Sequence, residues 1–425
     1  MSVFTCYTSM QKRYIVIALL CLFCTAVTAQ MPYSLVIKGG HLIDPKNNIN
    51  EVMDVAITDG RVVQIAKNID ATGAKQVVAA KGLYVTPGLI DIHGHVFSGT
   101  EPNSYLSNGL SAIMPDGFTF RVGVTTIVDA GGAGWKSFPA FKKNIIFNSK
   151  TRVLSFINIV GEGMRGGVWE QDTTDMDPRM AAAVALSNPN DIVGFKLAHF
   201  QGQNWTPVQR VVEAGKLANM PVIIDFGGST PPLPLEDLFL KYLRPGDIFT
   251  HTYTLLENNV RETIVDEESG QVRPFVWEAR KKGIVFDVGY GGASFNYSQA
   301  IPAMKSGFHP TTISTDLHTG SMNGSMKDML SVMSKFLGMG MDLPAVIRAS
   351  TWIPAQVIHR ENLGHLSVGA IADVAILNLR DGKFGFYDKT GYKVDGKKKF
   401  ECEMTIKGGK IVYDLNGIAN PIVLR

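Results

Sequence analysis

The run Leu89–Val96 reads LIDIHGHV and follows TPG. Two histidines one residue apart in an apolar strand need a reason. Successive strand side chains point to opposite faces, so Asp91, His93 and His95 are expected to share one face. Two protonated imidazoles side by side would repel. A shared cation is the simplest way to keep both, and a hydrogen-bonded core pair or chance spacing is the other reading.

Further ionisable residues stand at the ends of other apolar runs. Lys196 lies in IVGFKLA, Asp225 in PVIIDFG, His251 in DIFTHT, and Asp316 with His318 in ISTDLH. Each has an ordinary reading when taken alone. Lys196 can extend its charge to solvent, His251 can be a core histidine, and Asp316 can cap the next helix. Together they are costly to bury unless they share a metal. An ammonium repels a dication, so Lys196 cannot ligate as it stands. Burial lowers a lysine's pKa and favours the free amine. A free amine can take up carbon dioxide as a carbamate, whose two oxygens can bridge two metal ions. Such a pair would activate a hydroxide at neutral pH and polarise a carbonyl.

These residues need elements to position them. Eight strand candidates run through the middle of the chain: 89–96, 122–130, 152–160, 191–198, 220–226, 247–252, 283–288 and 311–317. Most are separated by helix-like stretches such as Val208–Ala218. Eight such units are the count for an α/β fold of the (β/α)8 TIM-type barrel, with its chemistry at the C-terminal ends of the strands. An open doubly wound sheet is the runner-up, but its glycine fingerprint after the first strand is absent. Short β-type runs flank this middle at both ends, around 34–66 and 372–413. They are expected to pack as one small β-sandwich domain. The expected boundaries are a signal peptide over 1–29, sandwich segments over 30–86 and 363–425, and the barrel over 87–362. No internal repeat is visible.

The N-terminus differs in kind. Lys12 and Arg13 precede the apolar run Ile15–Cys24, and Val27–Ala29 offers small residues for cleavage. This reads as a secretory signal peptide. The run is shorter than the roughly 20 residues of a membrane span, and Phe23 before Cys24 disfavours a lipoprotein. Cleavage would remove Cys6, Cys21 and Cys24, leaving Cys402 with no disulfide partner and no cysteine metal site. It would also lower the net charge from +3 to +1, since the segment holds two basic residues and no acid. With no basic run, nothing suggests nucleic-acid binding. The mature protein is expected to be periplasmic or secreted, with no membrane anchor. Whether it forms a homo-oligomer is open.

The stretch 86–95 (TPGLIDIHGH) resembles the first-strand signature of the amidohydrolase superfamily, and 364–375 (GHLSVGAIADVA) resembles its C-terminal signature. The stretches 122–132, 191–196, 246–251, 283–289 and 313–317 resemble the dihydroorotase-like branch of amidohydrolase/deacetylase metallohydrolases. The resemblance covers the whole mature chain. It implies that His93, His95 and Asp316 hold a first metal. It further implies that Lys196, as the carbamate, bridges to a second metal held by His251. Asp316 would take the proton from the bridging hydroxide and pass it to the leaving group. Zinc is the usual metal in such sites.

The pattern departs at two places. The family has a histidine as second-metal ligand on strand five, where this chain has Asp225. A carboxylate can ligate zinc, but its charge should make the metal less electrophilic, and the second ion is expected to bind weakly or sit differently. Tyr290 stands where the branch has histidine. It is either a donor to a substrate oxyanion or a packing residue. Arg165, His199, Tyr290 and His318 are the candidate substrate-binding residues.

The expected activity is hydrolysis of an amide or ester in a small acylated molecule, by a deacetylase, deacylase or cyclic amidase. A lactonase or esterase on the same site is a close rival. A binding protein with an impaired second metal site is the rival from another class.

Overall fold

The computed structural model describes residues 33–99 and 111–419. The expected signal peptide lies outside the described residues. Among them, no helix is long and apolar enough to cross a membrane.

Two sheets organise the chain. Five strands come from the N-terminal segment: β1 (Leu35–Asp44), β2 (Ile49–Thr58), β3 (Arg61–Ala66), β4 (Val77–Ala79) and β5 (Tyr84–Pro87). Seven follow in the middle: β6 (Leu89–Gly94), β7 (Val124–Gly134), β8 (Arg152–Asn158), β9 (Ile192–Leu197), β10 (Val222–Ile224), β11 (Ile248–Phe249) and β12 (Val285–Phe286). Three close the chain: β13 (Val374–Tyr387), β14 (Lys393–Lys407) and β15 (Lys410–Asp414).

The two β-rich ends form one eight-stranded sheet in the order β15-β14-β13-β5-β1-β2-β3, with β4 also on β1. The seam is the antiparallel pairing of β5 with β13, where Thr86 faces Ala375. Leu35, Ile37, Val55, Val374, Ile376 and Met404 meet in one buried cluster, so both ends share a core. The β2–β3 turn uses Asp59 and Gly60, both at positive φ (51° and 75°). Primed turns of this kind match the twist of the paired strands.

The seven middle strands form a curled parallel sheet in sequence order. Strands β6, β7 and β9 are buried along their whole length, as expected of parallel strands covered on both faces. Ile90, Ile92, Val128, Leu154, Phe156, Val193, Ile223 and Ile248 form an inner cluster with Ala355, Ile358 and Leu363. The outer layer is helical. In the helix Thr206–Ala218, Val208, Val211, Val212 and Gly215 are buried on one face. Each buried valine contributes on the order of 1.5–3 kcal/mol.

The eighth expected strand, 311–317, is not a regular strand. Its backbone still bonds both neighbours: Val288 N donates to Thr312 O at 3.1 Å, and His95 N donates to Leu317 O at 2.8 Å. Isolated parallel bridges join it to Asp287 on one side and Gly94 on the other. Its ionisable tip explains the irregularity, since Asp316 has φ 52° and breaks the extended backbone.

Candidate metal centre

The ionisable residues gather where the parallel strands end. His93 is in β6 and His95 follows it; Lys196 is in β9; Asp225 and His251 follow β10 and β11. A cavity of about 570 Å³ opens above them, lined by His95, His199, Asp225, His251, Asp316 and His318. His199, His251 and Asp316 all have positive φ, at 54°, 54° and 52°. Such backbone costs about 1–3 kcal/mol per non-glycine residue and persists where the surroundings over-determine it.

The first cluster is His93, His95 and Asp316. One ligand atom from each lies within 4.8 Å of the others, and all three are buried. His95 Nε2 is 2.9 Å from Asp316 Oδ1, and His93 Nε2 is 3.7 Å from the same oxygen. The far nitrogen of His93 is committed elsewhere. Nδ1 lies 2.9 Å from Thr250 Oγ1, and that hydroxyl donates to Asp287 Oδ2 at 2.8 Å. With its proton given to Asp287, Thr250 can only accept, so His93 carries its hydrogen on Nδ1. Nε2 then presents a lone pair towards Asp316. Burial pushes the His93 imidazole down to about 3, with Lys196 acting in the same direction. Burial would raise the Asp316 carboxyl, but His93, His95 and His251 outweigh it and hold the group well below the usual range.

His251 repeats the pattern. Nδ1 donates to Gly289 O at 2.5 Å, which leaves Nε2 as a lone pair 3.2 Å from Asp225 Oδ2. Gly289 (φ 46°) permits this approach, since a Cβ there would come within 3.0 Å of the rings of both His251 and His93. A nitrogen lone pair facing a carboxylate oxygen is repulsive unless a cation stands between them. These aimed lone pairs fit a divalent metal, and outer partners that fix the tautomer are typical of metal-ligating histidines.

Lys196 is fully buried beside the same groups. Nζ is 3.4 Å from His93 Nε2 and 3.9 Å from Asp225 Oδ2. Burial lowers its pKa, with Asp225 and Asp316 opposing. Asp225 itself would be raised by burial, but His251, Lys196 and His199 hold it well below the usual range. His199 Nε2 is 3.2 Å from Asp225 Oδ2, and its Nδ1 is 3.0 Å from Glu170 Oε2. Burial would lower the His199 imidazole, yet Asp225 and Glu170 bring it up to about 10.

The structure corrects the placement of Asp91, decides between the two readings of Tyr290, and gives Arg165 a carboxylate neighbour beside the cavity. Asp91 does not share the site face. The register of β6 shifts between Asp91 and Gly94, so strict alternation fails. Asp91 instead accepts from Thr315 Oγ1 at 2.5 Å and from His93 N at 3.2 Å, stapling β6 to the eighth segment. Tyr290 is fully buried and points away from the cavity. Its hydroxyl donates to Tyr387 O at 2.8 Å and accepts from Lys335 Nζ at 2.7 Å, and its ring stacks on Phe295. The packing alternative therefore holds. Arg165 turns to Glu162 at 3.2 Å and stacks over Trp169, while its neighbours Met164 and Gly166 line the cavity. His199 and His318 do line the cavity.

Sequence reasoning missed three residues. Asp287 sits in a stretch quoted for its resemblance, but nothing local marks it as the end of the His93 relay. Glu170, 2% exposed, lies on a short helix with no periodicity to announce it. Arg261 is 5% exposed and lines the cavity. Its Nη2 donates to the carbonyls of Thr250 and His251 at 3.3 and 3.2 Å, and its guanidinium lies over Phe249. No carboxylate among the described residues pairs with it.

Similarity to known proteins agrees with this geometry. The amidohydrolase family model matches residues 293–412. A deacetylase of Brucella anthropi is 32% identical over 367 residues, covering 83% of this chain and 86% of that protein. The crystal structure of an adenine deaminase superposes with a TM-score of 0.80 at 27% identity, covering 90% of this chain and all of the other. That of a dihydroorotase gives 0.78 at 28% identity, covering 89% and 99%. The chain belongs to the amidohydrolase family. It is a metal-dependent hydrolase acting on C–N bonds.

Proposed function

We propose that the protein removes an acyl group from a small molecule carrying an acid group, outside the cytoplasm. The observation that carries the hydrolytic part is the convergence of His93, His95 and Asp316 at the cavity floor. Deacetylase relatives support the acyl reading. The acid group is read from Arg261, a buried cation that lines the cavity and forms no ion pair with a carboxylate among the described residues, Asp225 acting on it only at longer range. Buried charges of this kind are usually completed by an opposite charge. Export rests on the N-terminal pattern of Lys12, Arg13 and the apolar run after them. We also read the eighth segment as closing the parallel sheet into a barrel over 87–362, flanked by sandwich segments 30–86 and 363–425.

His93, His95 and Asp316 would hold the first ion, and Lys196, Asp225 and His251 the second, with Lys196 as a carbamate shared between them. Zinc suits this nitrogen and oxygen set. When bound, a divalent ion supplies a more acidic water and polarises the scissile carbonyl. The remaining work falls to the chain. Asp316 stays ionised and accepts the proton of the attacking water at a carboxylate oxygen. It then returns that proton to the leaving nitrogen. Gly291 keeps this oxygen reachable, since a Cβ there would lie 2.5 Å from Asp316 Oδ2. His318 Nε2, 3.9 Å from the same oxygen, can steady the leaving group. Arg261 orients the acid group of the substrate.

The test is a rate comparison on an N-acetyl amino acid, an O-acetyl hydroxy acid and a lactone. Preference for the first supports amide deacylation. Turnover of the lactone alone would replace this reading with a lactonase.

A further inference from the structure

We propose that Lys335 and Tyr290 are positioning residues of the hydrolytic site: together they fix the carbonyl of Gly289, and through it the ring of His251. The inference rests on the hydrolytic reading above and assigns Tyr290 a role beyond packing. Neither side chain lines the cavity, so both act through the backbone.

Lys335 lies in the helix Met329–Gly338 and is 2% exposed. Lysines are rarely buried this deeply without partners. An ammonium has three N–H donors, and here three oxygens from three segments accept them. They are Tyr290 Oη at 2.7 Å, after β12, Ser325 O at 2.5 Å, after the short helix Thr319–Met322, and Tyr387 O at 2.8 Å, at the end of β13. None of the three is a carboxylate. A buried ion is a weak source of stability, but it favours the one arrangement that satisfies all its donors. Tyr290 is thereby held by its hydroxyl and by its ring. The hydroxyl accepts from Lys335 and donates to Tyr387 O at 2.8 Å, and the ring stacks on Phe295 with centroids 4.3 Å apart.

This fixed side chain stands between two glycines. Gly289 and Gly291 have φ 46° and 63°, so the strip has little stiffness of its own. The Gly289 carbonyl and the Tyr290 amide belong to one peptide plane. Tyr290 N reaches Ser314 O at 3.3 Å, longer than an ordinary N–H···O bond. The backbone therefore holds this plane loosely, and the anchored Tyr290 side chain supplies the rest. On its other edge the plane meets the site, where Gly289 O accepts from His251 Nδ1 at 2.5 Å. That bond selects the Nδ1–H tautomer of His251. A plane free to turn would release the ring. The competing reading is that Lys335 only fastens the β13–β14 hairpin to the body of the protein.

The two readings differ in what variants of the full chain change. Tyr290→Phe keeps the stacked ring and removes the hydroxyl, and Lys335→Met removes the ammonium. Each is expected to lower kcat on an N-acetyl amino acid by about tenfold to a hundredfold, the cost of a displaced site group, with KM little changed. In metal-free protein carrying isotope-labelled histidine, the Nδ1–H magnetic resonance signal of His251 is identified by its absence from His251→Gln. It is expected to shift or vanish in both variants. Thr390→Val removes a 2.7 Å hydrogen bond to Asp388 at the hairpin tip, and is expected to lower the unfolding midpoint alone. Loss of stability with kcat and the His251 signal unchanged in Tyr290→Phe and Lys335→Met would overturn the proposal in favour of the hairpin reading. A lower kcat with an unmoved signal would overturn it as well, because the loss would not pass through Gly289. A signal that moves equally in Thr390→Val would do the same. If the wild type turns over no acyl substrate, the proposed function fails and the His251 signal alone decides: a shift sustains this inference, and an unmoved signal overturns it.

Discussion

His93 Nδ1 is tied to Thr250 Oγ1 by a 2.9 Å hydrogen bond. Thr250 Oγ1 in turn donates a hydrogen bond to Asp287, which also accepts from Thr312 Oγ1 at 2.6 Å and Ser314 Oγ at 2.7 Å. Three hydroxyls from neighbouring segments therefore fix one carboxylate, and through it one imidazole tautomer. Thr250→Val keeps the shape and removes the relay. Metal affinity is expected to fall about 10–100-fold, measured by competition with a chelator. Unchanged affinity would show that His93 holds its tautomer without this hydroxyl.

Asp316 is assigned the proton transfer. Asp316→Asn keeps an oxygen near His95 but accepts no proton at neutral pH. The rate kcat is expected to fall by about 10²–10⁴-fold, read together with metal content so that ion loss is scored separately. Unchanged turnover would remove Asp316 from the proton path.

Arg261 is assigned to the substrate's acid group. Arg261→Met is expected to lower kcat/KM on an N-acetyl amino acid by about tenfold to a hundredfold, the equivalent of a charge-assisted hydrogen bond. The matching N-acetyl amino acid amide is expected to lose far less. Equal losses on both would mean that Arg261 acts only by holding the carbonyls of Thr250 and His251.

Lys335 gives a pH signature away from the chemistry. Burial holds its ammonium down to about 7, with Lys327 adding to the shift and Asp388 and Asp328 opposing it. The unfolded chain keeps the proton until about 10.4. Between these values the unfolded state binds more protons, so this group makes stability rise with pH. Wild type is therefore expected to gain stability relative to Lys335→Met between pH 7 and 10, read from unfolding midpoints at each pH. A flat difference would show that the amine is not perturbed.

The site was legible in the sequence where an ionisable residue interrupts an apolar run. Lys196 in IVGFKLA and His251 in DIFTHT stand out because burial there needs a reason. The structure brings them together with His93, His95, Asp225 and Asp316. Legibility ended where side-chain direction depends on tertiary contacts. The sequence leaves Tyr290 open between a donor beside the site and a packing residue, and it is Lys335 and Tyr387, far along the chain, that turn it into the core. Asp91 was misfaced because one register shift breaks the period-two rule. Arg261 and Glu170 sit outside the strands, where no pattern separates a buried charge from a surface one. The fold was read the same way: continuous apolar runs announced the parallel strands, while 311–317 lost its regular form at Asp316.

The most direct measurement is activity on an N-acetyl amino acid before and after metal removal, with zinc per chain determined on the same samples. Metal-free protein is expected to be inactive and to regain its rate when zinc is returned. His95→Ala, which removes the group 2.9 Å from Asp316, is expected to stay inactive at equal zinc. Full activity in protein shown to be free of metal would contradict hydrolysis at the centre formed by His93, His95 and Asp316.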